Sequence, residues 1–164
     1  MYNQIKIENN IIGDYMIREI MTYNIISSNK DSSLKEISSL MKKHNIGFIP
    51  IKDKDEYIGV ITDRDICLSI PSISNINDSI KSYITSNIIC IDVNSDINNA
   101  LKIMGKNKVK RLLVKDNKKI IGILSLSDIL NYTNNDNIIN TYKTIFYIHN
   151  NDKSSITEID EFYL

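Results

Sequence analysis

The chain has 164 residues, of which 42% are hydrophobic and 24% are charged, a balance typical of one globular domain or two small ones. Twenty basic residues match twenty acidic ones, and this zero net charge argues against a nucleic-acid partner or an anionic membrane surface. The sequence has no Cys-x-x-Cys pair and no apolar run of about 18 residues, so it predicts a cytoplasmic protein with reduced thiols and no membrane partner.

The first half of the chain contains one set of alternating elements, after an N-terminal extension at residues 1–16. Ser33 and Glu36 match a helix capping box, and the apolar residues that follow them recur at helical spacing. Polar residues at 53–56 separate two apolar stretches, as in a hairpin. Residues 17–70 are predicted to form a strand at 25–27, a helix from Leu34, strands at 48–52 and 57–62, and a helix after Thr62.

Pro71 begins a linker at residues 71–79, and a second set of elements follows it. Asp96 stands where a helix cap is expected, at the position that corresponds to Ser33. Residues 80–133 are predicted to contain strands at 111–115 and 120–124 and a helix after Ser125, and residues 134–164 to form a C-terminal helix and tail.

The two sets of elements are copies of one sequence, because a shift of 63 positions aligns them without a gap. Gly59 then falls on Gly122 and Asp65 on Asp128, and the abundance of isoleucine does not explain such matches. One copy is too small to bury a core by itself. The repeat therefore predicts an α/β (α+β) fold in which two β-α-β-β-α copies pack about a pseudo-twofold axis.

The strongest local signal is the segment 58–66, Ile-Gly-Val-Ile-Thr-Asp-Arg-Asp-Ile, which the segment 121–129 repeats in altered form. One interpretation is mechanical, since a hydroxyl and a carboxylate three residues later form a capping box. The other is chemical. An ionised carboxylate suits the paired hydroxyls of a ribose, and a hydroxyl beside free N–H groups at a helix start suits a phosphate. The motif alone leaves both open.

The wider sequence around this motif resembles the CBS (cystathionine β-synthase) domain family. The resemblance rests on the segment 42–51 before the first motif and on the segment 108–114 before the second, where Leu113 replaces the usual proline. It extends over residues 17–133 and includes both copies of a tandem pair, often called a Bateman module. The resemblance implies a regulatory adenosine ligand, such as AMP, ADP, ATP or S-adenosylmethionine, and no catalytic cofactor.

The resemblance also implies two ligand sites, each completed by the first strand of the other copy and the loop before the second strand. Arg64, Lys110 and Arg111 are the candidate phosphate cations, with a solvated surface role as the alternative. For Ile26 and Ile89 simple core packing is the favoured alternative. The candidate ligand-binding residues are Thr22, Ile26, Gly47, Phe48, Pro50, Thr62, Arg64, Asp65, Thr85, Ile89, Lys110, Arg111, Ser125 and Asp128, and none is predicted to be catalytic or to bind a metal.

The two motifs are not equivalent, because the second copy has no counterpart of Arg64. Asp63, in turn, adds a negative charge beside the phosphate position of the first copy. The second site is therefore expected to be empty or to prefer an uncharged adenosine. The site at Asp65 is expected to be the stronger one, with Arg111 reaching it from the second copy.

No motif of a hydrolase, a P-loop or a metalloprotease is present, so the chain is not expected to be an enzyme. The leading hypothesis is a stand-alone sensor of an adenosine ligand that forms a homodimer through its second helices and acts on an unidentified protein target. A structural or protein-interaction module with vestigial clefts is the alternative from a different class. A cyclic-dinucleotide receptor is a further alternative.

Overall fold

The computed structural model describes residues 16–132, and the predicted C-terminal helix and tail lie outside this range. Contacts divide the chain into two compact units. The first-repeat unit contains residues 23–89, and the second-repeat unit contains, among the described residues, 16–22 and 90–132. Residues 16–22, at the start of the first repeat, thus belong to the second-repeat unit. Residues 80–89, at the start of the second repeat, belong to the first-repeat unit.

The described elements alternate between short strands and helices, and the fold is mixed α+β. They are, in chain order, α1 (Ile17–Ile20), β1 (Ser28–Asn29), α2 (Leu34–His44), β2 (Phe48–Asp53), β3 (Glu56–Thr62), α3 (Asp63–Ser69), 3-10 turns at Ile70–Ser72 and Ile80–Tyr83, β4 (Cys90–Asp92), α4 (Ile97–Asn107), β5 (Arg111–Asp116), β6 (Lys119–Ser125) and α5 (Leu126–Tyr132). None of the helices within residues 16–132 has the length and apolar character needed to cross a membrane.

The first-repeat unit is built on a sheet in the order β1-β2-β3. β1 runs parallel to β2, and β2 pairs antiparallel with β3, so that Phe48 lies opposite Thr62. The isoleucines that face inward from these strands, Ile49, Ile51 and Ile61, are fully buried. Successive side chains of a strand point to opposite faces, so Thr62, which follows the buried Ile61, does not share its buried face. Thr62 is the last residue of β3 and is half-buried at the edge of the core.

Helix α2 begins and ends as the sequence predicts. The Glu36 N–H donates to Ser33 Oγ (3.2 Å) and the Ser33 N–H donates to Glu36 Oε2 (2.7 Å), which confirms the predicted capping box. The hydrogen bond from the Ser33 backbone lowers the pKa of the Glu36 carboxyl. Asn45 ends the helix in the left-handed conformation with φ 52°, which asparagine tolerates well.

The second-repeat unit repeats this plan with the sheet order β4-β5-β6. The side chain of Asp96 accepts a hydrogen bond from the Asn99 N–H (2.8 Å), so the predicted cap of α4 is confirmed. Helix α1 belongs to this unit, because the Ile17 N–H donates to the Ser95 carbonyl (3.0 Å). The side chain of Ile17 is fully buried there.

The strand predicted at residues 25–27 is wrong. These residues have no regular structure, and β1 lies at Ser28–Asn29, where Ser28 is opposite Ile51. Pairing with a neighbouring strand, and not the isoleucine content of the segment, decides where a strand forms. The other four predicted strands lie within β2, β3, β5 and β6.

Each sheet is extended at its last strand by one residue of a distant segment. In the first-repeat unit Thr85 exchanges two hydrogen bonds with Val60 of β3, both 2.9 Å from nitrogen to oxygen. In the second-repeat unit Thr22 exchanges two with Ile123 of β6, again 2.9 Å each. These isolated antiparallel bridges bring the predicted residues Thr85 and Thr22 to the edges of the sheets.

Candidate functional site

Thr62 and Asp65 form a closed hydrogen-bonded pair at the junction of β3 and α3. The Asp65 N–H donates to Thr62 Oγ1 (3.1 Å), and the Thr62 N–H and hydroxyl both donate to Asp65 Oδ2 (2.8 and 2.7 Å). The mechanical interpretation of the motif, a capping box, is therefore confirmed. It uses one oxygen of the carboxylate, while Oδ1 of Asp65 accepts no hydrogen bond from any residue between 16 and 132.

Ser125 and Asp128 repeat the two backbone hydrogen bonds of this arrangement at the junction of β6 and α5. The Ser125 N–H donates to Asp128 Oδ2 (2.8 Å), and the Asp128 N–H donates to Ser125 Oγ (3.1 Å). Both carboxylates are half-buried. The repeat thus produces two copies of one local geometry, one in each unit.

The distant segment at each sheet edge lies close to these motifs. Val60, which pairs with Thr85, is two residues before Thr62, and Ile123, which pairs with Thr22, is two residues before Ser125. Gly59 makes the first approach possible, since a Cβ atom there would lie 2.6 Å from the Thr85 carbonyl oxygen. Gly59 was not predicted from the sequence to admit Thr85 to the sheet edge, although the place of this glycine in the repeated motif indicated that it matters.

The loop before β2 lies beside the start of α3. The Asp63 N–H donates to the Gly47 carbonyl (3.2 Å), and Phe48 lies opposite Thr62 in the hairpin. A Cβ atom on Gly47 would lie 2.8 Å from Cγ of Asp63, so the carboxylate of Asp63 rests against the glycine. The structure therefore brings together Gly47, Phe48, Thr62 and Asp65 in one unit.

Contrary to the sequence-based prediction, the backbone N–H groups are not free at the start of helix α3. Its first three N–H groups already have acceptors, namely the Gly47 carbonyl, Asp63 Oδ1 (2.8 Å from the Arg64 nitrogen) and Thr62 Oγ1. The prediction of free N–H groups for a phosphate at this helix start is therefore wrong. The carboxylate of Asp63 comes directly after the capping hydroxyl and adds a negative charge to this helix start.

The three candidate cations are divided between the units. Arg64 is exposed on α3 in the first-repeat unit. Lys110 and Arg111 belong to the second-repeat unit, where the Leu126 N–H donates to the Lys110 carbonyl (2.8 Å) and Arg111 lies opposite Ser125. Two cations thus precede the second motif, and the reach of Arg111 towards Asp65 stays a prediction.

Three of the apolar candidate ligand-binding residues are at least partly covered by the protein. Pro50 is buried within β2, and Ile26 and Ile89 are half-buried in segments without regular structure. In the part of the chain that the structure describes, no group of three or more His, Cys, Asp or Glu side chains is placed to hold a metal ion.

The two cysteines differ in environment, which leads to a labelling prediction. Cys67 is exposed on α3, whereas Cys90 is half-buried in β4, where burial raises the pKa of its thiol. Because the thiolate is the reactive form, a disulfide reagent at pH 8 is expected to label Cys67 much faster than Cys90. The labelling reaction is monitored by absorbance and mass spectrometry, and Cys67→Ser should remove its fast phase. Loss of that phase in Cys90→Ser instead would contradict the assignment.

Comparison with known sequences identifies the family. A sequence profile described as the CBS domain matches residues 17–72 and 80–135. The chain belongs to the CBS domain family. The uncharacterized protein MJ1232 of Methanocaldococcus jannaschii is 38% identical to it over 120 residues, which cover 73% of this chain and 38% of MJ1232. The uncharacterized protein MK0525 of Methanopyrus kandleri is 31% identical over 118 residues, 70% of this chain and 60% of MK0525. The chain thus spans less than two thirds of either relative.

Comparison with solved structures confirms the fold of a CBS domain pair. The crystal structure of the CBS domain pair of protein MJ0100, in complex with 5′-methylthioadenosine and S-adenosyl-L-methionine, has a TM-score of 0.65. The match covers 72% of this chain and 94% of the MJ0100 chain at 23% identity.

Proposed function

We propose that this CBS pair is a non-catalytic regulatory module that binds an adenosine-containing ligand at its Thr62–Asp65 and Ser125–Asp128 motifs. AMP, ADP, ATP and S-adenosylmethionine are the candidate ligands. The observation that carries the proposal is the geometry of Asp65. Its Oδ2 atom closes the cap of α3, and its Oδ1 atom is left without a hydrogen bond from residues 16–132.

This geometry suits a ribose. Oδ1 keeps both of its lone pairs, so it can accept hydrogen bonds from two neighbouring hydroxyl groups. The capping bonds to Thr62 hold the carboxylate in one orientation before any ligand arrives, which lowers the entropy cost of binding. Capping and ligand binding are therefore compatible roles of the same side chain.

The fold supports the same ligand class. The CBS pair of MJ0100 was crystallised with 5′-methylthioadenosine and S-adenosyl-L-methionine, so this architecture can hold adenosine compounds. For the present chain, two residues near Thr62 are expected to contact the nucleoside. They are Phe48, which starts β2 opposite Thr62, and Thr85, which pairs with Val60 at the edge of β3.

The proposal is tested by thermal shift and titration calorimetry with adenosine, AMP, ADP, ATP, S-adenosylmethionine and cyclic dinucleotides. We expect saturable binding of at least one adenosine compound, and a ligand at 100 times its Kd stabilises the folded state by about 2.7 kcal/mol. Binding of a cyclic dinucleotide alone would favour the receptor alternative. No binding of any compound at millimolar concentration would overturn the proposal and favour an interaction module.

We also propose that the chain forms a homodimer through the exposed apolar residues of its second helices. Leu68 of α3 is 64% exposed, and Ile70 just after it is 62% exposed, while Leu130 and Tyr132 of α5 are 46% and 51% exposed. Apolar side chains grouped on short helices are typical of a contact surface.

This proposal predicts a dimer mass by light scattering at tens of micromolar protein. Leu68→Lys is expected to shift the mass towards that of a monomer, because it places a charge in the contact. Ser38→Lys, at an exposed position of α2, is the matched control and should leave the dimer intact. A monomeric wild-type chain at these concentrations would contradict the proposal.

A further inference from the structure

The carboxylate of Asp63 has a fixed position at the start of α3. Its Oδ1 atom accepts the hydrogen bond from the Arg64 N–H (2.8 Å). Its other end rests against Gly47, where a Cβ atom would lie 2.8 Å from Cγ of Asp63. Because Gly47 has no side chain, the carboxylate can approach its backbone, and Asp63 remains exposed on its other sides.

The second-repeat unit has no such charge. Leu126 stands at the position of Asp63, and its side chain is 4% exposed. The residue before β5 at the position of Gly47 is Lys110, followed by Arg111 opposite Ser125. The surroundings of the second motif are therefore cationic. Within the first-repeat unit the corresponding positions are Gly47, Phe48, Asp63 and Arg64, which place one carboxylate and one cation beside Asp65.

We propose that Asp63 is a specificity-determining residue, which makes the Thr62–Asp65 site select nucleosides with a neutral or cationic 5′ substituent over those with a 5′ phosphate. This inference rests on the proposed function, in which Asp65 holds the ribose. A phosphate on that ribose lies within one Debye length, about 8 Å at physiological salt, of two carboxylates in the same helical turn. The N–H donors that offset such charges at other helix starts are already used here.

The cationic surroundings of the second motif lead to the opposite preference. The Ser125–Asp128 site is the one that accepts a phosphate, with Lys110 and Arg111 near it. The two copies of the repeat then divide the adenosine ligands by charge. This reverses the order expected from the sequence, in which the second site was the weaker one.

The experiment is calorimetric titration with adenosine and with AMP at pH 8 and low salt. The background is Asp128→Asn, which removes the charged acceptor of the second site and keeps its cap. We expect adenosine to bind roughly tenfold more tightly than AMP. Asp63→Asn should raise the affinity for AMP roughly tenfold and leave that for adenosine within about twofold. Its amide oxygen still accepts from the Arg64 N–H, so the helix start is preserved.

Asp55→Asn is the matched control, because it removes one exposed carboxylate from the turn between β2 and β3, at the far end of the hairpin from Thr62. It should change neither affinity. Two results would overturn this inference alone. One is that adenosine and AMP bind equally well and that Asp63→Asn changes neither affinity. The other is that AMP binds more tightly than adenosine and that Arg64→Ala removes this preference. Failure of adenosine to bind in an Asp65-dependent way would overturn the proposed function and this inference together.

Discussion

Gly59→Ala is expected to destabilise the first-repeat unit by about 2–3 kcal/mol, a larger loss than any other substitution named here. The added Cβ atom would lie 2.6 Å from the carbonyl oxygen of Thr85 and 2.4 Å from Cγ2 of Ile84. A backbone carbonyl cannot move aside as a flexible side chain can. The bridge between Thr85 and Val60 must therefore open, and its two hydrogen bonds are lost.

The measurement is thermal unfolding combined with amide hydrogen exchange. A fall in Tm of roughly 5–10 °C is expected, together with lost protection of the Val60 and Thr85 amides. Gly105→Ala, within helix α4, is the control, and there the same change should be neutral or stabilising by up to about 1 kcal/mol. Unchanged stability and protection in Gly59→Ala would show that the edge segment does not depend on this approach.

Asp65→Asn is expected to weaken binding of the adenosine ligand by at least about tenfold with little change in Tm. Each hydrogen bond from a hydroxyl to a carboxylate contributes about 1.5–3 kcal/mol, and ~1.4 kcal/mol corresponds to one decade in affinity. The amide oxygen of the variant can still accept the hydrogen bonds from the Thr62 N–H and hydroxyl, so the capping box can still close. The variant therefore separates the ligand role of the side chain from its structural role.

The matched control is Glu36→Gln, which neutralises the corresponding capping carboxylate of α2 in the same unit. It should leave the affinity unchanged, since Glu36 lies at another helix start. Affinity and Tm measured on the same samples distinguish the two interpretations of the motif. Equal affinities in the wild type and Asp65→Asn would remove Asp65 from the site, whatever happened to Tm.

Local patterns explain why so much of each unit could be predicted. The capping box of Ser33 and Glu36, the cap at Asp96 and the hairpin turns depend on residues a few positions apart, and all three kinds of feature are present in the structure. The strand predicted at residues 25–27 depended instead on propensity in an isoleucine-rich chain. Its true position was decided by its parallel partner, β2.

The candidate site was predicted less completely, because its neighbours come from distant parts of the chain. The Thr62–Asp65 pair follows from local spacing, and the structure bears out its capping geometry. The position of the Asp63 carboxylate against Gly47 depends on the hydrogen bond between β2's preceding loop and α3, which no local pattern reveals. The prediction of free donors at this helix start was wrong in part for that reason. The Gly47 carbonyl accepts from the Asp63 N–H, while the other two acceptors, Asp63 Oδ1 and Thr62 Oγ1, are local.

The sequence by itself determined the repeat, the family, the order of elements and the two hydroxyl–carboxylate motifs, because each is encoded in residue types at short or constant spacing. Tertiary structure alone decided how the distant segments pair with the sheet edges, residue by residue. Residues 16–22 belong with the second repeat, and the segment that contains Thr85 belongs with the first. Backbone groups on a sheet edge pair with any extended segment that can approach them, so the choice depends on Gly59 and Gly122, whose missing side chains admit that approach.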